Sequence, residues 1–184
     1  MANDGDVRST QLSTAFESHR AAVLAYTRRR LEADLAEDAV GETFAIAWRR
    51  RDEIPSEPLL WLYSIARGVV ANQRRSDRRR LRLTDRLAFE RNPAEDDPSN
   101  LVADRLELAR AFDALEEGDQ EILMLVAWEG LAPKQGAAVL GCSAAAFRVR
   151  VHRARKRFEQ GLVQSAPEPF GVGVPTESAQ AKES

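Results

Sequence analysis

The stretch RNPAEDDPSN, residues 91–100, divides the chain and confines each half to a small fold. It combines two prolines with acidic and small polar residues and has no apolar periodicity, which is typical of an interdomain linker. The chain has 184 residues and is 43% apolar, enough for packed cores in two small domains. We expect domains at 10–90 and 105–163, a flexible acidic linker at 91–104, and a disordered tail at 164–184 that is rich in Pro, Gly and Ser.

The composition favours an all-α fold. Helix-forming Ala, Leu, Glu and Arg dominate, β-branched runs are few, and aromatic residues make up only 7% of the chain. In the first half, apolar residues at three-to-four spacing predict a helix to about Arg30. A second helix should begin with Asp34 as its N-cap and Glu37 as its capping-box partner, and a third should begin at Pro58.

The second half has the layout of a helix-turn-helix unit. Gly130 and Gly141 flank a short helical segment, and a longer basic helix follows, with Ser143 placed to cap it. At about 100° per residue, one narrow stripe of this helix is apolar and should face its own domain. The stripe consists of Phe147, Val151, Ala154 and Phe158.

The other sides of that helix carry the rest of RVRVHRARKR, residues 148–157, apart from Val151 and Ala154 of the stripe. A solvated helix usually mixes charges at i,i+4, whereas pairs such as Arg153 and Arg157 repel each other. A polyanion such as DNA would relieve this repulsion. The N-terminal half of the helix should then contact base edges, with Arg148 the best candidate for a guanine, and the C-terminal Arg and Lys should hold phosphates.

The third predicted helix has two different sides. One is an apolar packing stripe; the other leads from an aromatic residue and an amide to cations, which suits stacking and backbone contacts with single-stranded bases. This second side comprises Trp61, Ile65, Gly68, Asn72, Arg75 and Arg79. Periodicity alone leaves a second interpretation open, in which Trp61 packs on a neighbouring helix.

The second helix carries an outward acidic face with Glu37, Asp38, Gly41 and Glu42. Such a face is either simply solvated or a docking surface for a basic partner.

Several classes of function are excluded. A single cysteine, Cys142, rules out an internal disulfide framework and a multi-thiolate zinc site. His19 and His152 lie in different predicted domains, and neither a phosphate-binding loop nor a metalloprotease motif occurs. We therefore expect no enzyme activity, no metal, no cofactor and no small-molecule substrate. Because the chain has neither a signal-like N-terminus nor a long apolar run, we expect a cytoplasmic protein without membrane insertion.

Three segments in this order resemble the extracytoplasmic-function (ECF) sigma factors of the sigma-70 superfamily. They are DLAEDAVGETFAIAWRR, WLYSIARGVVANQRRSDRR and GLAPKQGAAVLGCSAAAFRVRVHRARKRF, and the resemblance covers about residues 10–163. It implies a region 2 helical bundle and a region 4 helix-turn-helix. It also implies a protein that directs core RNA polymerase to promoter DNA, with an anti-sigma factor as a further partner.

The resemblance assigns roles to particular positions. It implies that Asp38, Gly41 and Glu42 meet core polymerase. Trp61 falls where the family opens the −10 duplex, with the rest of its helix side as the −10 surface. The −35 surface comprises Ser143, Arg148, Val149, His152, Arg153 and Lys156.

The sequence departs from the family pattern at several positions. Gly41 replaces a Gln, Gly68 replaces a side chain near the −10 bases, Ala132 replaces a capping Ser, and Gly136 replaces an apolar core residue. These replacements predict an altered polymerase contact and a less stable first helix in the helix-turn-helix unit. The alternative function is an autonomous helix-turn-helix repressor or activator, which would bind an operator without polymerase.

Overall fold

The computed structural model describes residues 4–84 and 100–165; most of the predicted linker and nearly all of the predicted tail lie outside these ranges. The described residues form seven α-helices and contain no strand, which confirms the all-α prediction. The elements are α1 (Asp4–Arg28), α2 (Ala33–Arg49), a short 3-10 turn (Arg51–Glu53), α3 (Pro58–Thr84), α4 (Asn100–Asp113), α5 (Glu117–Ala127), α6 (Pro133–Leu140) and α7 (Ala144–Ser165).

The first three helices pack against one another around a common core. Buried hydroxyl groups add to the packing, since Thr27 Oγ1 donates to the carbonyl oxygen of Ala36 at 3.1 Å and Thr43 Oγ1 donates to that of Ala39 at 2.6 Å. The apolar part of the core includes Val23, Tyr26, Val40, Phe44, Leu62 and Ala66.

The start of α2 differs from the prediction. Its N-cap is Glu32, whose side chain makes no capping hydrogen bond, and Asp34 lies inside the first turn. Glu37 does not reach back to the cap; it accepts hydrogen bonds from Arg20 and Arg28 of α1, each at 2.9 Å. Two cations from a neighbouring helix outcompete the local cap for this carboxylate, so the capping-box prediction was wrong.

In the second half, α7 packs against α4, α5 and α6. Phe147 and Ala154 are fully buried, and Val151 and Phe158 are partly buried. This confirms the predicted inward stripe, and it fixes which sides of α7 remain at the surface.

The two halves are also in contact with each other. Helix α6 packs against α3, and the buried core runs continuously from the first three helices to Leu125, Val139 and Phe147. This contact was not predicted, because nothing local in the sequence marks a surface that is buried by a distant part of the chain.

Candidate nucleic-acid and polymerase surfaces

The turns on both sides of α6 set the direction of α7. Gly130 and Gly141 adopt φ values of 62° and 64°, a left-handed conformation that residues with a side chain rarely adopt. Gly141 is the C-cap of α6, and the backbone N–H of Cys142 donates to the Ala137 carbonyl at 3.0 Å. Ser143 Oγ then accepts a hydrogen bond from the backbone N–H of Ala146 at 3.1 Å, which confirms Ser143 as the cap of α7.

Helix α6 is better supported than its sequence suggested. Gln135 Oε1 accepts a hydrogen bond from the backbone N–H of Ala132 at 2.9 Å, and Pro133 begins the helix. The reaching-back half of a capping box therefore forms without a Ser at position 132.

Gly136 is a packing requirement and not a defect. A Cβ atom at this position would lie 2.2 Å from Cζ of the fully buried Phe147. The ring of α7 occupies the space that an apolar side chain of α6 would fill, so Gly136 serves the packing of α6 against α7.

The remaining sides of α7 form an exposed basic surface. All six residues predicted for the −35 contact are exposed: Ser143, Arg148, Val149, His152, Arg153 and Lys156. Val149 is a large apolar residue at 49% exposure amid these cations. A helix that presents cations and one apolar contact from a rigid turn has the chemistry to contact phosphates and base edges in a major groove.

One arginine of α7 has an acidic partner that the sequence did not suggest. Arg157 Nη1 donates to Oδ2 of Asp119 in α5 at 2.5 Å. This pairing was not predicted, because Asp119 lies 38 positions away in the sequence.

Helix α3 presents a second cationic surface. Gly68, Asn72, Arg75 and Arg79 are exposed, and Arg75 Nη2 donates to Asn72 Oδ1 at 2.5 Å. These groups lie along the same side of α3, so a nucleic-acid strand could follow them along the helix.

The two apolar members of that predicted surface behave differently. Ile65 is only 5% exposed and belongs to the hydrophobic core, so its predicted outward position was wrong. Trp61 is partly buried against the core and has the Arg50 guanidinium 6.0 Å from its ring centre. Trp61 thus both packs on its neighbours and keeps part of its ring at the surface.

The acidic face of α2 is divided. Glu37 is neutralised by the two arginines of α1, whereas Asp38, Gly41 and Glu42 are exposed. No ion pair engages Asp38 or Glu42 within residues 4–84 and 100–165. Two exposed carboxylates one helical turn apart can therefore bind a basic partner.

An apolar groove lies between α1 and α2, and it was not predicted from the sequence. The rings of Phe16 and Phe44 meet edge to face with centres 4.7 Å apart, and Leu12 and Trp48 complete a groove of about 360 Å³. Trp48 is 49% exposed. The signal was present in the sequence as aromatic residues on facing helices, but periodicity assigns such residues to a core.

The described residues contain no group of three His, Cys, Asp or Glu side chains placed to hold a metal ion. None of the described helices is long and apolar enough to cross a membrane.

Comparison with known protein families matches both halves of the chain. A model described as "Sigma-70 region 2" matches residues 15–80, and one described as "Sigma-70, region 4" matches residues 105–158. The first match covers α1 to α3 with their acidic and cationic surfaces, and the second covers the helix-turn-helix unit.

Individual sigma factors are similar over most of the chain. RNA polymerase sigma factor NccH of Alcaligenes xylosoxydans xylosoxydans is 34% identical over 143 residues, which are 71% of this chain and 74% of NccH. CnrH of Cupriavidus metallidurans is 34% identical over 133 residues, 66% of this chain and 70% of CnrH. The ECF sigma factor SigL of Mycobacterium tuberculosis is 29% identical over 145 residues, 76% of this chain and 81% of SigL.

Two solved structures share the fold. Sigma factor RpoE of Bartonella quintana, bound to the anti-sigma factor NepR, is 25% identical with a TM-score of 0.59 over 85% of this chain and 99% of that one. CnrH, bound to the cytosolic domain of CnrY, is 27% identical with a TM-score of 0.57 over 86% of this chain and 91% of that one.

Proposed function

Because the chain belongs to the ECF sigma factors of the sigma-70 superfamily, we propose that three particular surfaces let it direct core RNA polymerase to promoters. The observation that carries this proposal is that the chain contains both sigma regions and that α2, α3 and α7 each carry exposed charged side chains. We assign residues 10–90 to region 2, 91–104 to the linker and 105–163 to region 4. Both matching family models are sigma regions, and neither favours an autonomous repressor or activator.

The exposed side of α7 reads the −35 duplex. Arg148 and Val149 lie in the N-terminal half of α7, and they contact base edges. Lys156 lies a further two turns along and binds a phosphate. The support for this division is that Phe147 and Ala154 anchor the helix from below and leave these side chains free to enter a groove.

Helix α3 captures the melted −10 strand. Asn72, Arg75 and Arg79 offer an amide and two cations along one exposed side. Trp61, packed on the core, is only partly buried, and its indole ring is the group that stacks on an unpaired base. Ile65 is buried and acts as the packing residue beneath this surface.

The exposed carboxylates of α2 dock on core polymerase. Asp38 and Glu42 lie four residues apart on one face, and Gly41 between them leaves that face without side-chain bulk. The apolar groove with Trp48 lies on the same helix and extends the contact.

The remaining parts of the proposal follow from this role. The chain binds and positions other molecules and catalyses no reaction of its own, so it needs neither metal nor cofactor. It acts in the cytoplasm, where polymerase is found. By analogy with the solved complex of RpoE with the anti-sigma factor NepR, an anti-sigma factor is a further partner.

The docking surface is tested with the double variant Asp38→Asn/Glu42→Gln and purified core polymerase. We expect affinity to fall by about tenfold or more, because buried charge pairs across an interface are each worth several-fold in affinity. The matched control is Glu32→Gln, which removes an exposed charge from the N-cap of the same helix. Equal affinities for the double variant and the control would show that the acidic face is only solvated.

A further inference from the structure

Charged side chains, all of them largely buried except the 30% exposed Arg29, join the two domains. Tyr26 lies in the last turn of α1, and Arg29 and Arg30 directly follow that helix, whereas Glu121 lies in α5 and Glu129 follows α5. These five residues are called the interdomain cluster. The side chain of Arg30 is 0% exposed, that of Glu129 is 2% exposed and that of Glu121 is 12% exposed.

The cluster is completely hydrogen-bonded. Arg30 Nε donates to Glu121 Oε2 at 2.8 Å, and Arg30 Nη1 donates to Glu129 Oε1 at 2.9 Å. Arg29 Nη1 donates to the other oxygen of Glu129 at 3.0 Å, and Tyr26 Oη donates to Glu121 Oε1 at 2.7 Å. The Arg30 guanidinium also lies 3.5 Å from the centre of the Tyr26 ring. Two cations of one domain thus meet two carboxylates of the other.

Such an interface favours two states, with the domains either docked or separated, over partly docked arrangements. A buried charge is tolerated only while its partner is in place, and water replaces the partner when the domains separate. An apolar interface has no comparable gain of hydration on opening. The interdomain cluster therefore specifies one docked arrangement and still permits its release.

A second interdomain pair shows the contrast. Arg78 of α3 pairs with Glu117 of α5, but these side chains are 49% and 52% exposed. Exposed pairs contribute little, since water screens them in both states.

The docked arrangement does not fit a promoter. The −10 and −35 elements lie about 25 base pairs apart, which is about 85 Å of B-form duplex. In the docked chain α6, of 8 residues, contacts both α3 and α7. With 27 residues in α3 and 22 in α7, these two helices are about 40 Å and 33 Å long, so the centres of their DNA surfaces fall well short of that separation.

We propose that the interdomain cluster is a latch that holds the free protein closed, and that promoter binding by the polymerase complex requires the latch to open. The second half of this statement rests on the proposed function, whereas the first half concerns the free protein alone. The 15 residues at 85–99 would span about 50 Å if fully extended, so the covalent connection allows the domains to separate.

The test measures the distance between the domains in the free full-length chain. Nitroxide labels are placed at two exposed positions, Ala21→Cys in α1 and Gln160→Cys in α7, in a Cys142→Ser background. Double electron–electron resonance should give one narrow distance distribution for the chain with an intact latch. A broad distribution would overturn the proposal without touching the proposed function, because selective transcription is measured separately.

The latch itself is tested with Glu121→Gln/Glu129→Gln. Closing then buries Arg30 without a counter-charge, so the open fraction should rise by about tenfold or more. The matched control is Glu116→Gln/Glu117→Gln, which removes two charges at the start of α5, and its open fraction should stay within about twofold of the parent. If both variants open equally, the cause is net charge and the latch is wrong.

A milder variant guards against loss of folding. Tyr26→Phe keeps the ring beneath Arg30 and removes only the hydroxyl that donates to Glu121. With unchanged helical content by circular dichroism, the open fraction should still rise by a few-fold. Closed distances in both Tyr26→Phe and Glu121→Gln/Glu129→Gln would overturn the proposal.

Discussion

The substitution Gly136→Ala tests the packing of the helix-turn-helix unit most sharply, because two effects of opposite sign meet at one atom. In an open helix, Ala is better than Gly by about 1 kcal/mol. At position 136 the added Cβ would lie 2.2, 2.5 and 2.8 Å from three atoms of the Phe147 ring. The ring is fully buried, and overpacking of this kind costs about 1–3 kcal/mol.

The repulsion should win. With three contacts below any normal separation, the cost belongs at the upper end of that range, and Gly136→Ala should lower the free energy of unfolding by about 2 kcal/mol. Denaturant unfolding gives the overall change. Hydrogen exchange of peptides from residues 131–158 reports on α6 and α7 separately from the first domain.

Two further variants identify the cause. A Cβ at Gly41 meets nothing within 4 Å, so Gly41→Ala should stabilise the protein by up to about 1 kcal/mol. In a Phe147→Leu background the clash is relieved, and the penalty of Gly136→Ala should shrink by about 1 kcal/mol or more. If Gly136→Ala is as stable as the parent chain, the geometric reasoning is refuted.

Other predictions concern DNA and pH. Arg148→Ala should weaken discrimination at one −35 base pair by about 1–3 kcal/mol, whereas Lys156→Ala should weaken binding to all promoter sequences alike. Competition binding to single-base promoter variants distinguishes the two effects. If Arg148→Ala loses the same affinity for every promoter variant, Arg148 is a phosphate contact. Trp61→Ala should retain polymerase binding and lose promoter opening, and an intact permanganate footprint of the bubble would contradict its role. Burial raises the pKa of both Tyr26 and Tyr63, so the folded state favours the neutral phenols and should lose stability as pH rises above about 10. Ultraviolet titration of phenolate, with unfolded protein as the reference, tests this prediction; identical titrations would refute it.

Local patterns in the sequence predicted the helical fold and most helix faces. The stripe of α7 and its Ser143 cap were correct because both depend on neighbours within two turns of the chain. Ile65 was placed outward because a helix wheel assumes one packed side. In the structure α3 contacts α1, α2 and α6, which widens its buried face.

The errors and omissions share one cause, which is contact between distant residues. Glu37 accepts hydrogen bonds from two arginines of α1 and does not form the predicted capping box. The need for Gly at position 136 was not predicted, because the Phe147 ring that occupies the space beside it lies on another helix. The pairing of Arg30 with Glu121 joins positions 91 apart, and no spacing rule reaches that far.

For the proposed sites, the residue types could be predicted from the sequence, whereas the structure shows which of these side chains are exposed. The six predicted −35 residues are exposed together, and Asp38 and Glu42 are exposed together. The apolar groove with Trp48 was not predicted, since an aromatic residue at helical spacing is expected in a core and only the packed structure shows it at the surface.

Run-off transcription with purified core polymerase on a library of genomic promoter fragments tests the central claim most directly. We predict that adding this chain makes the polymerase start at a small, reproducible set of sites that share −35 and −10 sequences. A start-site pattern no different from that of the core enzyme alone would contradict the account.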